Sequence, residues 1–393
     1  MLTWLALAAA LSLAAWLYLV FLHGGFWRCG ERLPADGAAP DAWPAVAAVV
    51  PARNEEDTIA AVLAGLAAQD YPGRLSVTLV DDRSTDATRA RAEAARAAAP
   101  GRAAPTILPG DALPPGWSGK LWALHQGIAQ ALRDDAAVEF VFLSDADIVH
   151  APDALRRLIG KAVAERRDLV SLMARLNCET AWERLLVPPF VFFFQKLYPF
   201  PRANDDRAAT AAAAGGCVLI RRGMLEKIGG IAAIRGALID DCSLARAVKR
   251  AGGRLWLGLA DDTRSLRVYR ELAPIWMMVA RSAFTQLRYS ALLLLGTVLG
   301  MALLYLLPPL LLLTAPVHGD AAAAVLAALA WLLMAVAYLP TLRYYRQPAW
   351  LALTLPAAAL LYLGMTLDSA RRHWWGRGSR WKGRDYGRQE AAG

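Results

Sequence analysis

Uncharged apolar segments stand near both ends of this chain and dictate its architecture. Residues 2–22 (LTWLALAAALSLAAWLYLVFL) carry no charge and reach the roughly 20 residues that a helix needs to cross a bilayer. Segments of similar character lie at 291–313, 321–340 and 349–367. The residues between these ends are charged and alternating. The pattern therefore predicts an N-terminal transmembrane anchor, a soluble domain and a C-terminal group of transmembrane helices.

A cleaved secretory signal is the alternative interpretation of the N-terminal segment. No Lys or Arg precedes its apolar run, and the flank HGGFWRCG offers no clear cleavage site, so an uncleaved anchor is favoured. Arg28, Arg32 and Arg53 follow the anchor. Because basic residues concentrate on the cytoplasmic side of a membrane, we expect the soluble domain to lie in the cytoplasm.

The C-terminal tail is basic and aromatic and contributes to the net charge of +9. Nucleic-acid binding is one interpretation of RRHWWGRGSRWKGR (371–384). Trp, Arg and Lys directly after an apolar segment are more typical of an interfacial anchor on anionic lipid, so no nucleic-acid partner is expected. Three full crossings would place the tail outside, against the positive-inside rule. Either one segment is re-entrant or interfacial, or the tail is external, and the sequence leaves both open.

Between the apolar ends, short apolar runs alternate with stretches of helical periodicity. VAAVV (46–50), LSVTLV (75–80) and EFVFLS (139–144) are typical of buried strands. The helical stretches are 55–69, 84–99, 120–134 and 151–166. This alternation predicts an α/β fold with a doubly wound, mostly parallel sheet.

Polar residues follow each of the three predicted strands, in PARNEE (51–56), DDRSTD (81–86) and DADIVH (145–150). Ligands of open α/β sheets bind beyond the carboxyl ends of the strands, so these segments should line one crevice. Each segment alone could be helix-capping material. Their joint occurrence at three strand ends favours a binding site.

Asp145 and Asp147 have the chemistry of a hard-cation site, because carboxylate oxygens suit Mg²⁺ or Mn²⁺. Two side chains one residue apart on an extended strand point to opposite faces, so a tight turn after the strand is required. The metal would neutralise the diphosphate of a nucleotide donor. A solvated loop is the alternative interpretation, and His150 is better explained as a structural residue than as a third ligand.

Four segments, in this order, resemble the family 2 glycosyltransferases, which are inverting enzymes of the GT-A fold. They are VVPARNEE (49–56), LVDDRSTD (79–86), LSDAD (143–147) and ALIDDCSLARAVKRAG (237–252). PARNEEDTIAAVL, LPPGWSGKLWAL and FTQLRYS look most similar to the hopene-associated glycosyltransferases of bacteria. The resemblance implies a GT-A, Rossmann-like sheet and an enzyme that uses a nucleotide-sugar donor.

The resemblance also implies donor-binding residues. Pro51, Arg53 and Glu55 match the segment that contacts uridine and ribose. Asp82 matches the carboxylate that reads the base, and Lys120 stands where related enzymes carry a basic residue near the nucleotide. A UDP-sugar is therefore the expected donor.

The same resemblance implies the metal and catalytic residues. Asp145 and Asp147 match the metal motif, and Asp145 also belongs to the donor-binding set. Asp241 matches the general base, which would deprotonate the acceptor hydroxyl. Asp240 stands where Glu is usual and would raise the pKa of its neighbour, so which of the two acts stays open. Capping of a helix over 242–252 is the alternative role of this pair.

The acceptor is predicted from the region after the catalytic pair. Processive polysaccharide synthases of the family carry Q-x-x-R-W there, whereas this chain has TQLRY (285–289), which favours a single transfer. The segment ELAPIWMMVARSAFTQLRYS (271–290) mixes Trp, Met and Phe with Arg at helical spacing. It is interpreted as an amphipathic helix on the membrane surface, although Met277, Met278 and Phe284 could equally be core residues. A surface helix would favour a lipid hydroxyl as acceptor.

The leading hypothesis is an inverting glycosyltransferase of the bacterial cytoplasmic membrane that moves one sugar to a lipid, in a hopanoid or similar isoprenoid pathway. The alternatives are a processive polysaccharide or glycan synthase and a non-catalytic membrane scaffold that retains the fold. The sequence does not indicate an oligomeric state. The expected segments are a transmembrane anchor (1–24), a GT-A domain (45–268), an interfacial helix (269–290), transmembrane helices (291–370) and a basic tail (371–393).

Overall fold

The chain forms two compact units. The computed structural model describes residues 3–34, 39–99, 104–375, 379–381 and 384–386. The α/β unit consists of Glu31–Asn177 and Arg202–Val268. The helical unit consists of Met1–Gly30, Cys178–Pro201 and Tyr269–Gly393.

Strands and helices alternate in the α/β unit, and helices dominate the other. The strands are β1 (Ala45–Ala52), β2 (Leu75–Asp81), β3 (Thr106–Pro109), β4 (Val138–Ser144), β5 (Ile148–Val149), β6 (Leu169–Arg175), β7 (Cys217–Arg221), β8 (Leu255–Ser265), β9 (Ser379–Trp381) and β10 (Arg384–Tyr386). The α-helices are α1 (Trp4–Phe21), α2 (Ile59–Ala67), α3 (Thr88–Ala98), α4 (Gly119–Asp134), α5 (Ala154–Ala164), α6 (Ala181–Leu197), α7 (Phe200–Asn204), α8 (Arg222–Lys227), α9 (Asp240–Arg250), α10 (Leu272–Ala280), α11 (Ala283–Gln286), α12 (Ala291–Met301), α13 (Leu307–Leu313), α14 (Ala315–His318), α15 (Ala321–Tyr344) and α16 (Leu355–Trp374). The predicted strands and helices of the soluble domain are all present.

A mixed sheet forms the centre of the α/β unit. Across the described residues its strand order is β3-β2-β1-β4-β7-β6-β8-β5. The strands β3, β2, β1 and β4 are parallel, as β6 is to β8. In contrast, β7 runs antiparallel between β4 and β6, and β5 runs antiparallel to β8. The predicted α/β fold with a mostly parallel sheet is confirmed, and the antiparallel β7 and β5 make the sheet a mixed one.

Successive residues of β1 enter different cores, as expected for a strand with helices on both faces. All eight residues of β1 are buried. Val46 and Val50 pack in one core with Ile59 of α2. Val49 packs in the other core with Leu124 of α4. The apolar run of β1 therefore supports a doubly wound layer structure.

Helix α4 lies unusually close to the sheet. A Cβ atom on Gly127 would stand 2.5 Å from Val49 Cγ1 and 2.9 Å from Val80 Cγ2. Only a glycine fits this approach without displacing the strands. The close packing fixes the height of α4 over β1 and β2, and hence the position of Lys120 in its first turn.

The helical unit contains the predicted apolar segments. Among the described residues, four helical stretches are long and apolar enough to cross a membrane: Trp4–Phe21, Ala291–Leu313, Ala321–Tyr344 and Ala349–Trp374. The second is interrupted by a π-helical turn over Ala302–Leu306. Their number and order agree with the sequence-based prediction.

Helix α6 was not separated from the soluble domain by the sequence analysis. It lies within the predicted 45–268 range, yet Cys178–Pro201 belongs to the helical unit. Its 17 residues are shorter than a membrane span, so its length gave no signal. Thr180 and Glu183 form a capping box at its start, and Glu183 also accepts a hydrogen bond from the Tyr269 N–H at 2.6 Å. These contacts tie α6 to the start of the C-terminal helices.

The predicted single helix over 269–290 is two short helices, α10 and α11. Ile275, Ala280 and Phe284 are buried, so Phe284 is a core residue. The turn before α12 places Arg288 and Tyr289 at positive φ (52° and 56°), a conformation that ends a helix. In the tail, α16 continues to Trp374, and residues 376–378, 382–383 and 387–393 lie outside the described part of the chain.

Candidate active site

The turn after β4 has the tight geometry that the Asp145–Asp147 motif requires. The Ile148 N–H donates to the Asp145 carbonyl oxygen at 3.2 Å. Thr58 Oγ1, at the start of α2, donates to the Ala146 carbonyl oxygen at 2.8 Å. One hydrogen bond closes the turn, and the other connects it to the start of α2. The backbone that carries the two carboxylates is therefore held in place.

Asp145 is paired with a lysine that also contacts Asp240. Lys120 Nζ lies 2.7 Å from Asp145 Oδ1 and 3.0 Å from Asp240 Oδ2. Burial alone would lower the pKa of Lys120, but attraction to both carboxylates and the hydrogen bonds to them raise it above its usual value. Burial, reinforced by Asp147 and Asp240 and opposed by Lys120, raises the pKa of Asp145. The lysine therefore stays charged and links the turn after β4 to the first turn of α9 through one ammonium group.

Asp241 is fixed by two backbone donors. The Gly215 N–H donates to its Oδ2 at 2.9 Å, and the Cys242 N–H, in the first turn of α9, donates to its Oδ1 at 2.7 Å. Burial raises its pKa, Asp240 adds to this, and Lys120 and the two N–H donors oppose it, with a resulting pKa of about 6. A carboxylate of this basicity, held in one orientation, is suited to accept a proton near neutral pH. The alternative role of this pair in helix capping is partly supported, because Asp241 lies in the first turn of α9.

Gly215 sits where a larger residue would disturb both charged groups. A Cβ atom at this position would lie 3.1 Å from Lys120 Nζ and 3.6 Å from Asp241 Oδ2. We refer to Lys120, Asp145, Asp240, Asp241 and Gly215 together as the base cluster.

Ser171 on β6 holds the turn that carries Gly215. Its buried hydroxyl accepts from the Ala214 N–H at 2.9 Å and shares its proton between the carbonyl oxygens of Ala214 (3.1 Å) and Cys217 (3.0 Å). Ser171 was not predicted from the sequence. A single hydroxyl inside the apolar strand LVSLMA has many structural explanations, so it did not indicate a contact with this turn.

A second ionic cluster lies on the other side of the same turn. Arg267, just after β8, places Nε 2.8 Å from Asp147 Oδ2. Its Nη2 lies 3.0 Å from Glu55 Oε1 and 3.2 Å from Oε2. We call these three residues the arginine bridge. Arg267 was not predicted, because Arg264, Arg267 and Arg270 look alike in the sequence.

The loops after β1 and β2 are fastened together. Arg53 Nη1 donates to the carbonyl oxygens of Asp82 (2.6 Å) and Arg83 (2.9 Å). The Thr85 N–H donates to Asn54 Oδ1 at 2.8 Å. Asp82 has only 1% of its surface exposed. Arg53 and Asp82 thus lie together, in a loop pair next to the turn that carries Asp147.

A cleft open to solvent gathers part of the predicted set. It is lined by the base cluster, with Pro51 and Ser144, and by an apolar wall of Leu121, Leu124, Leu143, Val218, Ile231, Ile234 and Leu244. Arg53, Glu55, Asp82 and Asp147 do not line it. Pro51, Lys120, Asp145, Asp240 and Asp241 therefore meet in one cleft, and the other predicted residues flank it at the adjacent strand ends.

His150 has a structural environment. It is buried, its Nε2 lies 2.8 Å from Ser144 Oγ, and its Nδ1 lies 3.4 Å from Thr263 Oγ1. Burial lowers the pKa of His150 to about 3, so the ring is neutral. Both ring nitrogens face hydroxyls, as the structural interpretation predicted.

The donor set at the turn suits a magnesium or manganese ion that is completed by substrate. Across the residues the structure describes, no group of three or more His, Cys, Asp or Glu is arranged as a metal site. Mg²⁺ typically takes one or two carboxylates together with waters and substrate phosphates. Asp145 and Asp147 supply such a pair, and each is presently neutralised by a protein cation. The residues therefore fit a metal that arrives with a diphosphate.

Comparison with known proteins agrees with this geometry. Residues 47–229 match the family model described as Glycosyl transferase family 2. This part of the chain, a little under half of it, is similar to family 2 glycosyltransferases. The match contains β1 through β7 and ends before the Asp240–Asp241 pair. No curated protein sequence matches the chain at a significant level.

One of the similar solved structures has a TM-score high enough to show the same fold. A mannosyltransferase from Pyrobaculum calidifontis, in complex with GDP-Man and Mn²⁺, is 22% identical, with 92% of this chain and 99% of that chain covered and a TM-score of 0.57. A glucosyl-3-phosphoglycerate synthase from Mycobacterium tuberculosis, in complex with Mn²⁺ and UDP-Glc, is 18% identical over 62% of this chain and 78% of that chain, with a TM-score of 0.38. The first likeness shows a GT-A-like fold for this chain.

Proposed function

We propose that this protein is a membrane-bound inverting glycosyltransferase that moves a single sugar from a nucleotide-sugar to a lipid hydroxyl. The observation that carries the proposal is the base cluster. One lysine joins the metal-motif carboxylate to the acidic pair, and Asp241 is held by two N–H donors in the same cleft. Both charged and apolar side chains line this cleft, which suits a polar donor and an acceptor with an apolar body.

The donor is proposed to bind along the charged side chains of the cleft. Lys120 is positioned to contact the diphosphate, and Asp145 and Asp147 would hold Mg²⁺ or Mn²⁺. When bound, this ion supplies charge neutralisation for the leaving diphosphate. Arg53 and Asp82, in the flanking loops, are proposed to bind the nucleoside, with UDP as the expected nucleotide. The GDP-Man and Mn²⁺ in the similar mannosyltransferase structure support a donor of this class.

Asp241 is the proposed base. Its carboxylate takes the proton of the acceptor hydroxyl, the hydroxyl oxygen forms a bond to the anomeric carbon, and the bond from that carbon to the diphosphate oxygen breaks. A single displacement of this kind inverts the configuration of the sugar. Asp240 is already engaged by Lys120 at 3.0 Å, which favours Asp241 as the base and Asp240 as the group that keeps Lys120 in place.

The lipid acceptor is supported by the composition of the chain. Within the described residues, four helices can span a membrane, so the enzyme is anchored where its acceptor would reside. The TQLRY segment lacks the full Q-x-x-R-W pattern, which favours one transfer over chain growth. A hopanoid or similar isoprenoid lipid at the cytoplasmic face of a bacterial inner membrane is the specific acceptor we propose.

The test is a transfer assay with the full chain in lipid nanodiscs. Radiolabelled UDP- and GDP-sugars are supplied with Mn²⁺ and with hopanoid or total bacterial lipid, and products are resolved by chromatography and mass spectrometry. We expect one lipid product that is heavier by a single sugar. A ladder of products would identify a polysaccharide synthase instead. Neither transfer nor hydrolysis with any donor would point to a non-catalytic scaffold.

A further inference from the structure

The arginine bridge places a protein cation on a carboxylate that the proposed function assigns to metal. The Asp147 and Glu55 side chains are largely covered, with 17% and 12% of their surface exposed, whereas Arg267 is 36% exposed. The guanidinium is therefore the most accessible partner of the three. A planar guanidinium can satisfy two carboxylates at once or bind a diphosphate in the same way.

The backbone of Arg267 is anchored to the metal-motif turn. The Leu266 N–H donates to the Asp147 carbonyl oxygen at 2.7 Å. Asn177 Nδ2 donates to the carbonyl oxygens of Arg267 (2.7 Å) and Ser265 (3.1 Å). The start of the side chain is thus fixed beside Asp147, and the bridge follows from the fold.

Asp145 is occupied in the same way, since Lys120 Nζ lies 2.7 Å from it. Both carboxylates of the motif therefore carry a protein cation in the donor-free chain. A divalent ion that approaches either carboxylate meets a positive charge already in place. A diphosphate, in contrast, is attracted by both cations.

We propose that Arg267 is a placeholder cation that couples metal binding to donor binding. It neutralises Asp147 in the donor-free protein, and it transfers to the donor diphosphate when this binds, which releases Asp147 to the metal. The inference rests on the proposed function of the site. Because thermodynamic coupling is reciprocal, metal and diphosphate each strengthen the binding of the other.

The test measures Mn²⁺ binding to the full chain in nanodiscs, by the electron paramagnetic resonance signal of free Mn²⁺. Mn²⁺ is titrated alone and with UDP or GDP into the unmodified protein, Arg267→Gln and Arg267→Lys. The matched control is Arg254→Gln, because Arg254 Nε forms a comparable pair with Asp206 Oδ2 at 2.7 Å, outside the site.

We expect Arg267→Gln to bind Mn²⁺ alone about fivefold to tenfold more tightly, because a positive charge next to Asp147 is removed. We expect the enhancement of Mn²⁺ affinity by nucleotide to fall by about tenfold in this variant. Arg267→Lys should bind Mn²⁺ alone about twofold more tightly, since an ammonium on a flexible stem lacks the planar fork with which a guanidinium holds two carboxylates in fixed geometry. Arg254→Gln should behave as the unmodified protein.

The proposal is overturned if Mn²⁺ alone binds Arg267→Gln no more tightly than the unmodified protein. Nucleotide-dependent Mn²⁺ binding by the unmodified protein would then leave the proposed function standing. If the unmodified protein binds no Mn²⁺ even with nucleotide, both this inference and the metal-dependent donor site fail. Should Arg267→Gln not fold, an unchanged Mn²⁺ affinity in Arg267→Lys overturns the proposal by itself.

Discussion

Asp145 and Asp147 are separated by one residue, yet they belong to different ionic clusters. Asp145 shares Lys120 with the acidic pair inside the cleft. Asp147 shares Arg267 with Glu55 outside the cleft lining. In the proposed function, the base cluster would join the donor to the group that takes the proton, and the arginine bridge would couple donor binding to metal binding. The two carboxylates of one metal motif therefore belong to separate ion-pair clusters, one that includes Asp240 and one that includes Glu55.

The largest difference between the two clusters should appear when the lysine is removed. Lys120→Met leaves Asp145 and Asp240 facing one another without their cation and removes a diphosphate contact. We expect kcat/KM for sugar transfer to fall by at least about 100-fold, as is typical when a positioned cation is lost from a charged reaction site. The control is Lys227→Met. Lys227 Nζ donates to the Ala251 carbonyl oxygen at 2.7 Å, and Lys227 does not line the cleft. A loss of less than threefold in Lys120→Met would contradict this role.

Gly215 tests whether the base cluster tolerates extra volume. Gly215→Ala would place a methyl group 3.1 Å from Lys120 Nζ and 3.6 Å from Asp241 Oδ2. We expect about tenfold lower kcat, since small misplacements of reacting groups are costly, with little change in Mn²⁺ binding. Gly223→Ala is the matched control, because a Cβ there meets nothing within 4 Å. Equal activity of the two variants would show that the turn can move freely.

Ser171 tests how firmly the turn under Gly215 must be held. Ser171→Ala leaves the buried Ala214 N–H without its acceptor, which should cost about 1–3 kcal/mol of folding stability and lower kcat a few-fold. The thermal unfolding midpoint and kcat of the full chain are measured together, with the exposed Ser76→Ala as control. Unchanged stability would mean that another group replaces the hydroxyl.

The smallest effect concerns pH. Asp241 must be a carboxylate to accept a proton, and its pKa is raised to about 6, mainly by burial and then by Asp240. Transfer should therefore rise with pH through about 6 and be lost below it. Asp240→Asn removes the like charge, so the acidic limb of kcat/KM against pH should move down by less than about one unit. Asp240 would be favoured as the base if the acidic limb of this variant moved to higher pH. Loss of activity with no change in the position of the limb would favour Asp240 as well.

The sequence was informative where local chemistry decides the structure. The apolar runs of β1, β2 and β4 marked the strands, because burial on both faces leaves no room for polar residues. The polar residues after β1 and β4 include Pro51 and Asp145, and both line one cleft. These features are encoded within a few residues of one another.

Features that depend on distant partners were not predictable. The antiparallel entry of β7 is a matter of topology, because strand direction leaves no mark in a short apolar run. Arg267 and Ser171 gain their meaning only from Asp147 and from the turn that contains Gly215. Helix α6 is too short to be recognised by its length, although it belongs to the helical unit.

The most direct test of the account is Asp241→Asn, assayed for sugar transfer and for donor binding in the same nanodisc preparation. Asparagine keeps the size of the side chain and can still accept the Gly215 N–H, but it cannot take a proton from the acceptor. The account predicts a loss of transfer of about 10²- to 10⁴-fold, as for removal of a general base, with donor affinity within about twofold of the unmodified protein. Transfer at the rate of the unmodified protein would contradict the account and place the base on another residue.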